Sequence, residues 1–140
     1  MSESVVIDAN RLFSDLISGR QRLRKLFQAH PEIEFFCPKY VFIELFKHKE
    51  DIAKATALDE ADLLSVLHSL LQHIHFFDED AVSIGSWIEA WRLCRDVDEN
   101  DTAYVALTLE LGGSLWTGDK ELEIGLRKKG FTRLFVPSGP

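Results

Sequence analysis

Apolar residues in this chain follow two rhythms. Short β-branched or aromatic runs occur at Val5-Val6-Ile7-Asp8, Glu34-Phe35-Phe36-Cys37, Ile74 to Phe77, Ser114-Leu115-Trp116-Thr117 and Leu134-Phe135-Val136, and each reads as a buried strand. Between them lie longer stretches with apolar residues every three or four positions, the spacing of one helix face. Arg11 to Gln28 carries Leu12, Phe13, Leu16, Ile17, Leu23, Leu26 and Phe27, and Gly19 splits it into two helices or a kinked pair. Pro38 closes the second strand and opens an apolar helix from Tyr40 to His48 built around Glu44. Asp59-Glu60-Ala61-Asp62 is an acid-rich start for a helix through Leu71, and Glu79 to Arg95 reads as one amphipathic helix with Val82, Ile84, Trp87, Ile88, Trp91 and Leu93 in the core. Asp98 to Asp101 opens a helix to about Glu110 that Gly112-Gly113 ends, and Gly118-Asp119 turns into another that stops near Gly130. Strands alternating with helices predict a three-layer α/β fold, a parallel sheet of about five strands covered on both faces.

Composition narrows the class. With 140 residues, 46% of them hydrophobic and 28% charged, the chain has the balance of an ordinary globular domain, placed at 1–136 with a Pro-Ser-Gly-Pro tail at 137–140. No stretch approaches the ~18 uncharged apolar residues of a membrane helix. Met1 to Val6 carries Glu3 and no basic flank, which argues against a secretory signal. Cys37 and Cys94 are the two cysteines and are expected as reduced, buried thiols in a cytoplasmic setting. Lys and Arg total 16 against 23 Asp and Glu, a formal charge of −7. That excess excludes nucleic-acid binding through bulk positive charge, but not an enzyme whose acids are gathered at a cation site.

The acids fall where such a site would be. In open α/β sheets the functional crevice lies at the carboxyl ends of the strands. Asp8 ends the first strand, Asp119 follows the fourth, Asp101 opens the helix leading into the fourth, and Glu44 lies on the helix after the second. Four carboxylates meeting there would repel one another unless a divalent cation neutralised them, and oxygen-rich sites select Mg²⁺ or Mn²⁺. Each acid also has a plainer reading: Asp8 as a helix N-cap with Ala9-Asn10, Glu44 in a salt bridge to Lys39 or Lys47, and Asp98 and Asp119 as caps of the helices they precede.

Other chemistry is poorly represented. The five histidines lack metal-ligand spacing, the cysteines lack a CxxC partner, and no Gly-rich phosphate loop occurs. Trp87 and Trp91, four apart, are expected in the core rather than stacked on bases. The basic clusters Arg20, Arg22, Arg24, Lys25 and Arg127, Lys128, Lys129 read as solvated faces, with a grip on a phosphate backbone as the alternative.

VVIDAN at 5–10, FIEL at 42–45 and DENDTAYVALTLELGGSLWTGDK at 98–120, with 18 residues from Asp101 to Asp119, together resemble the PIN-domain nucleases over nearly the whole chain. The resemblance implies a PIN-like, Rossmann-like α/β/α fold and a Mg²⁺- or Mn²⁺-dependent endoribonuclease that hydrolyses RNA phosphodiesters with metal-activated water, leaving a 5′-phosphate. It makes Asp8, Glu44, Asp101 and Asp119 the metal-binding and catalytic acids, Asn10 and Thr117 polar residues that orient them, and Asp98 an accessory acid. Many small stand-alone bacterial members resemble VapC-type toxins, which implies a homodimer and an antitoxin protein as partner, with RNA as substrate and no membrane. The competing reading is a catalytically silent PIN-like module that binds RNA or protein. A phospho-acceptor receiver domain is excluded, because Asp8-Ala9-Asn10 lacks the acidic pair that fold needs and no Lys follows the fifth strand.

Overall fold

The computed structural model describes residues 3–137. Of the tail expected at 137–140, only Pro137 falls among them. Four strands form one sheet: β1 (Glu3–Ile7), β2 (Ile33–Pro38), β3 (Ile74–Phe77) and β4 (Ser114–Trp116). All pairings are parallel, and the spatial order is β3-β2-β1-β4. Successive strand residues point to opposite faces, and Val5, Val6 and Ile7 are all 0% exposed, so both faces of β1 are covered.

Eight helices supply the covers: α1 (Ala9–Ser18), α2 (Arg22–Ala29), α3 (Tyr40–Lys47), α4 (Lys49–Ala55), α5 (Glu60–His73), α6 (Ile84–Cys94), α7 (Thr102–Leu111) and α8 (Lys120–Lys128). Helices α1, α2, α4 and α5 pack among themselves, while α7 lies on β1, β2 and β4 with α6 packed along it and α8 against α6. Helix α7 is apolar nearly all round, and Tyr104, Val105, Ala106, Leu107 and Thr108 are buried together, as a helix inside the molecule requires. Gly19 ends α1 in the left-handed region at φ 69°, which makes α1 and α2 separate helices.

Three expectations need correction. The fifth strand at Leu134–Val136 is reduced to one parallel bridge between Leu134 and Leu115. Val136 is 69% exposed and Pro137 has no N–H, so no ladder extends beyond it. The helix expected over Glu79–Arg95 is a 3₁₀ turn at Glu79–Ala81 followed by α6. Ser83 separates them in an extended conformation, its hydroxyl accepting from the Ser86 N–H at 3.3 Å. The core face of α6 is Ala90, Leu93 and Cys94, while Ile84, Ile88 and Trp91, expected inside, are exposed. Helix α6 packs along α7, and the face it buries carries the smaller Ala90 and Cys94 with Leu93 rather than the larger residues. Trp87 is half-buried, with its indole N–H donating to the Glu79 carbonyl at 3.2 Å. Helix α4 was not legible in the pattern, because Ile52 is its one buried residue.

The strand order reverses at β1: the chain steps outward to β2 and β3, then returns to place β4 on the other side. At such a switch point the helices leaving the two central strands depart to opposite faces, opening a crevice between their N-termini. Helices α1 and α8 leave β1 and β4 in this way.

Candidate active site

Asp8 is the first residue beyond β1, and its N–H is tied to the Trp116 carbonyl of β4 at 3.0 Å. Its carboxylate caps α1, accepting from the Asn10 N–H at 3.4 Å and from the Thr117 hydroxyl at 2.7 Å. The Thr117 oxygen in turn accepts from the Asp119 N–H at 3.0 Å, so one hydroxyl links the acid after β1 to the acid after β4. Asp119 caps α8, accepting from Glu121 and Leu122 N–H groups at 3.0 and 3.2 Å. Asp98 caps the 3₁₀ turn Glu99–Asp101 through the Asn100 N–H at 3.0 Å, and Asp101 ends that turn where α7 begins. The capping readings of Asp8, Asp98 and Asp119 therefore hold without dispersing the acids. The N-termini of α1, α7 and α8 converge here, and their dipoles partly offset the gathered negative charge.

One carboxylate oxygen from each of Asp98, Asp101 and Asp119 lies within 4.8 Å of the others. Asp101 is 8% exposed, and its Oδ2 is buried with no hydrogen-bond partner. Burial pushes its pKa up to about 8, with further increases from Asp8, Asp98, Asp119 and Glu44 in that order. The Asp8 pKa is raised by burial and by Asp119, against the lowering effect of the Thr117 hydrogen bond. Among the described residues, no Lys, Arg or His forms an ion pair with Asp8, Glu44, Asp98, Asp101 or Asp119.

Glu44 reaches this centre from α3. It is half-buried, and its partner is the buried Tyr104 of α7, whose hydroxyl donates to Glu44 Oε1; neither Lys39 nor Lys47 pairs with it. Burial is the main cause of its raised pKa, opposed by the Tyr104 hydrogen bond and reinforced by Asp8. Helix α3 is inverted in polarity: its carboxylate turns inward while Phe42, Ile43 and Phe46 are 41%, 61% and 70% exposed.

Asn10 is exposed and reaches Asp8 only through its backbone N–H. Tyr104 is a site residue that the sequence pattern does not single out. The available signal was its place three residues after Asp101, which puts its hydroxyl on the acid's face of the helix. A cavity of ≈ 420 Å³ between α2 and α5 is lined by Gln21, Arg24, Asp62 and His68 among others and shares no residue with the carboxylates.

The donor set suits a hard divalent cation: oxygen ligands only, one of them buried and unpartnered, with no protein cation paired to them. The sequence profile of the PIN domain matches residues 6–135, and the chain belongs to that family. PIN domains are generally nucleases that use a divalent metal. The structure is similar to VapBC2 from Rickettsia felis, determined bound to a DNA fragment from their promoter, with a TM-score of 0.63 and 13% identity over 94% of this chain and 95% of that one. It is similar also to PAE2754 from Pyrobaculum aerophilum, with a TM-score of 0.62 and 17% identity over 88% and 79%. At these identities the likeness is one of fold. No curated protein matches the chain in sequence.

Proposed function

We propose that this protein is a Mg²⁺- or Mn²⁺-dependent endoribonuclease, with residues 1–136 forming the nuclease domain and Asp8, Glu44, Asp101 and Asp119 as metal-binding and catalytic acids. The observation that carries the reading is Asp101: a buried carboxylate with an unpartnered oxygen, crowded by acids and paired with no protein cation. A structural acid in that position would be expected to have a partner. When bound, a divalent ion supplies activation of water and stabilisation of the charge that develops on the phosphodiester oxygens. The chain's own residues prepare the site. Thr117 orients Asp8 and fixes its spacing from Asp119. Tyr104 holds Glu44 towards the centre. Asp98 adds a third oxygen beside Asp101 and Asp119, and Asn10 contributes its N–H to Asp8. Hydrolysis leaves a 5′-phosphate and a 3′-hydroxyl.

The fold likeness to VapBC2 supports a biological reading as the cytoplasmic toxin of a toxin–antitoxin pair, acting as a homodimer and held inactive by an antitoxin chain. The exposed apolar strips Phe42, Ile43, Phe46 on α3 and Ile84, Ile88, Trp91 on α6 supply surface for such partners. Among the described residues no helix is long and apolar enough to cross a membrane.

The test is cleavage of structured and single-stranded RNAs with Mg²⁺, Mn²⁺ or chelator. Wild type should cleave only with metal, and Asp8→Asn should lose at least ~100-fold in rate while keeping its circular dichroism spectrum. Equal cleavage by the two proteins removes the assignment. If neither protein cleaves and calorimetry detects no divalent-ion binding, the silent binding module stands instead.

A further inference from the structure

Arg11 stands three residues after Asp8, in the first turn of α1, and its surroundings differ from those of the other cations near the strand ends. Its guanidinium lies 5.5 Å from the centroid of the Trp116 ring, within cation–π range. It also rests on the backbone of Gly118, the residue between Thr117 and Asp119. A Cβ at Gly118 would overlap Arg11 Nη2 and come within 2.9 Å of Nε, so this seat exists only because residue 118 has no side chain. Arg11 Nε is buried and has no hydrogen-bond partner, and among the described residues no carboxylate pairs with the guanidinium. Lys120, nearby in sequence, is by contrast engaged with Glu123 at 3.4 Å.

A buried, unpartnered Nε carries a desolvation cost, and a chain of net charge −7 offers many carboxylates that could have met it. The guanidinium is instead held by stacking and by close packing on exposed Gly118, one residue from each of two site residues. That pre-organises a planar cation beside a cluster of acids, where a polyanionic substrate meets its greatest electrostatic barrier. On the nuclease reading above, on which this rests, we infer that Arg11 forms a phosphate subsite: it binds a backbone phosphodiester of the RNA strand beside the carboxylates, and Gly118 is kept small to seat it. The contact is to the backbone, so it positions the strand without reading its sequence.

The test measures binding of a fluorescently labelled single-stranded RNA to the full chain carrying Asp8→Asn, by anisotropy across a salt series. Adding Arg11→Ala should weaken binding by about 10-fold or more, the usual cost of a lost charge-assisted hydrogen bond, and flatten the plot of log affinity against log salt by about 0.7. Arg11→Lys should restore the slope and part of the affinity. Gly118→Ala, which displaces the guanidinium, should weaken binding in the same direction. Mn²⁺ affinity should not fall with Arg11→Ala, and the thermal transition should remain cooperative. Unchanged affinity, or weaker binding with the parent's salt slope, overturns the subsite and leaves Arg11 as packing against Trp116. Failure of the Asp8→Asn parent to bind RNA removes the RNA reading itself, and the subsite with it.

Discussion

Two groups of acids in this molecule lie in opposite environments. Asp96, after α6, meets Lys129 at 3.0 Å, and the same ammonium donates to the Arg92 and Leu93 carbonyls at 3.0 and 3.1 Å. Lys129 accordingly lowers the Asp96 pKa. Beyond the strand ends, Asp8, Glu44, Asp98 and Asp119 accept from backbone or hydroxyl donors, Asp101 keeps a buried oxygen without a donor, and among the described residues none of the five is paired with a cation; the pKa values of Asp8, Glu44 and Asp101 are raised, with burial as the first cause. The first arrangement closes a helix end. The second leaves negative charge unneutralised at the point where three helix N-termini meet, as sites that trade stability for chemistry do.

The sharpest way to break this contrast is Asp101→Asn in metal-free protein. The folded carboxyl titrates at about 8 against ~3.9 in the unfolded chain, so its contribution to stability is present below pH 4 and is lost as pH rises towards 8. The Asn variant, which cannot ionise, should therefore be more stable than wild type at pH 7–8 by roughly 2–4 kcal/mol, with the difference closing near pH 4. Added Mg²⁺ should raise the melting temperature of wild type but not of the variant. A variant less stable than wild type at neutral pH would place Asp101 among the structural acids.

A smaller effect is expected from Tyr104→Phe, which leaves Glu44 Oε1 without its donor. Denaturant unfolding should show a loss of about 1–3 kcal/mol. RNA cleavage should slow by about 10-fold as Glu44 loses its orientation. Unchanged cleavage would make the pair a packing contact. The smallest effect belongs to the other side of the comparison. Asp96→Asn should leave the melting temperature and cleavage unchanged within error, because the pair is exposed and screened. A clear loss of cleavage there would connect the two groups of acids.

Much of this was legible in the chain itself. The short β-branched or aromatic runs located the four strands, Gly19 located the break between α1 and α2, and Asp8 and Asp119 fall just beyond strand ends with Asp101 opening the helix that leads into β4. Less legible was the orientation of helix faces. Helix α6 buries Ala90, Leu93 and Cys94 and turns Ile84, Ile88 and Trp91 outward, and α3 turns its carboxylate inward and its phenylalanines out. For α6, periodicity alone makes the opposite assignment, since it identifies an apolar stripe without naming what lies against it.

Local sequence thus determined the four strands, most of the helices and which acids cap helix starts, because caps and short apolar runs act within a few residues. Only the tertiary structure decided that Asp98, Asp101 and Asp119 share a space under 5 Å across, that Thr117 links Asp8 to Asp119, and that Tyr104 of α7 rather than a lysine holds Glu44. Those contacts depend on β4 returning beside β1, a pairing between segments more than 100 residues apart that no local pattern encodes.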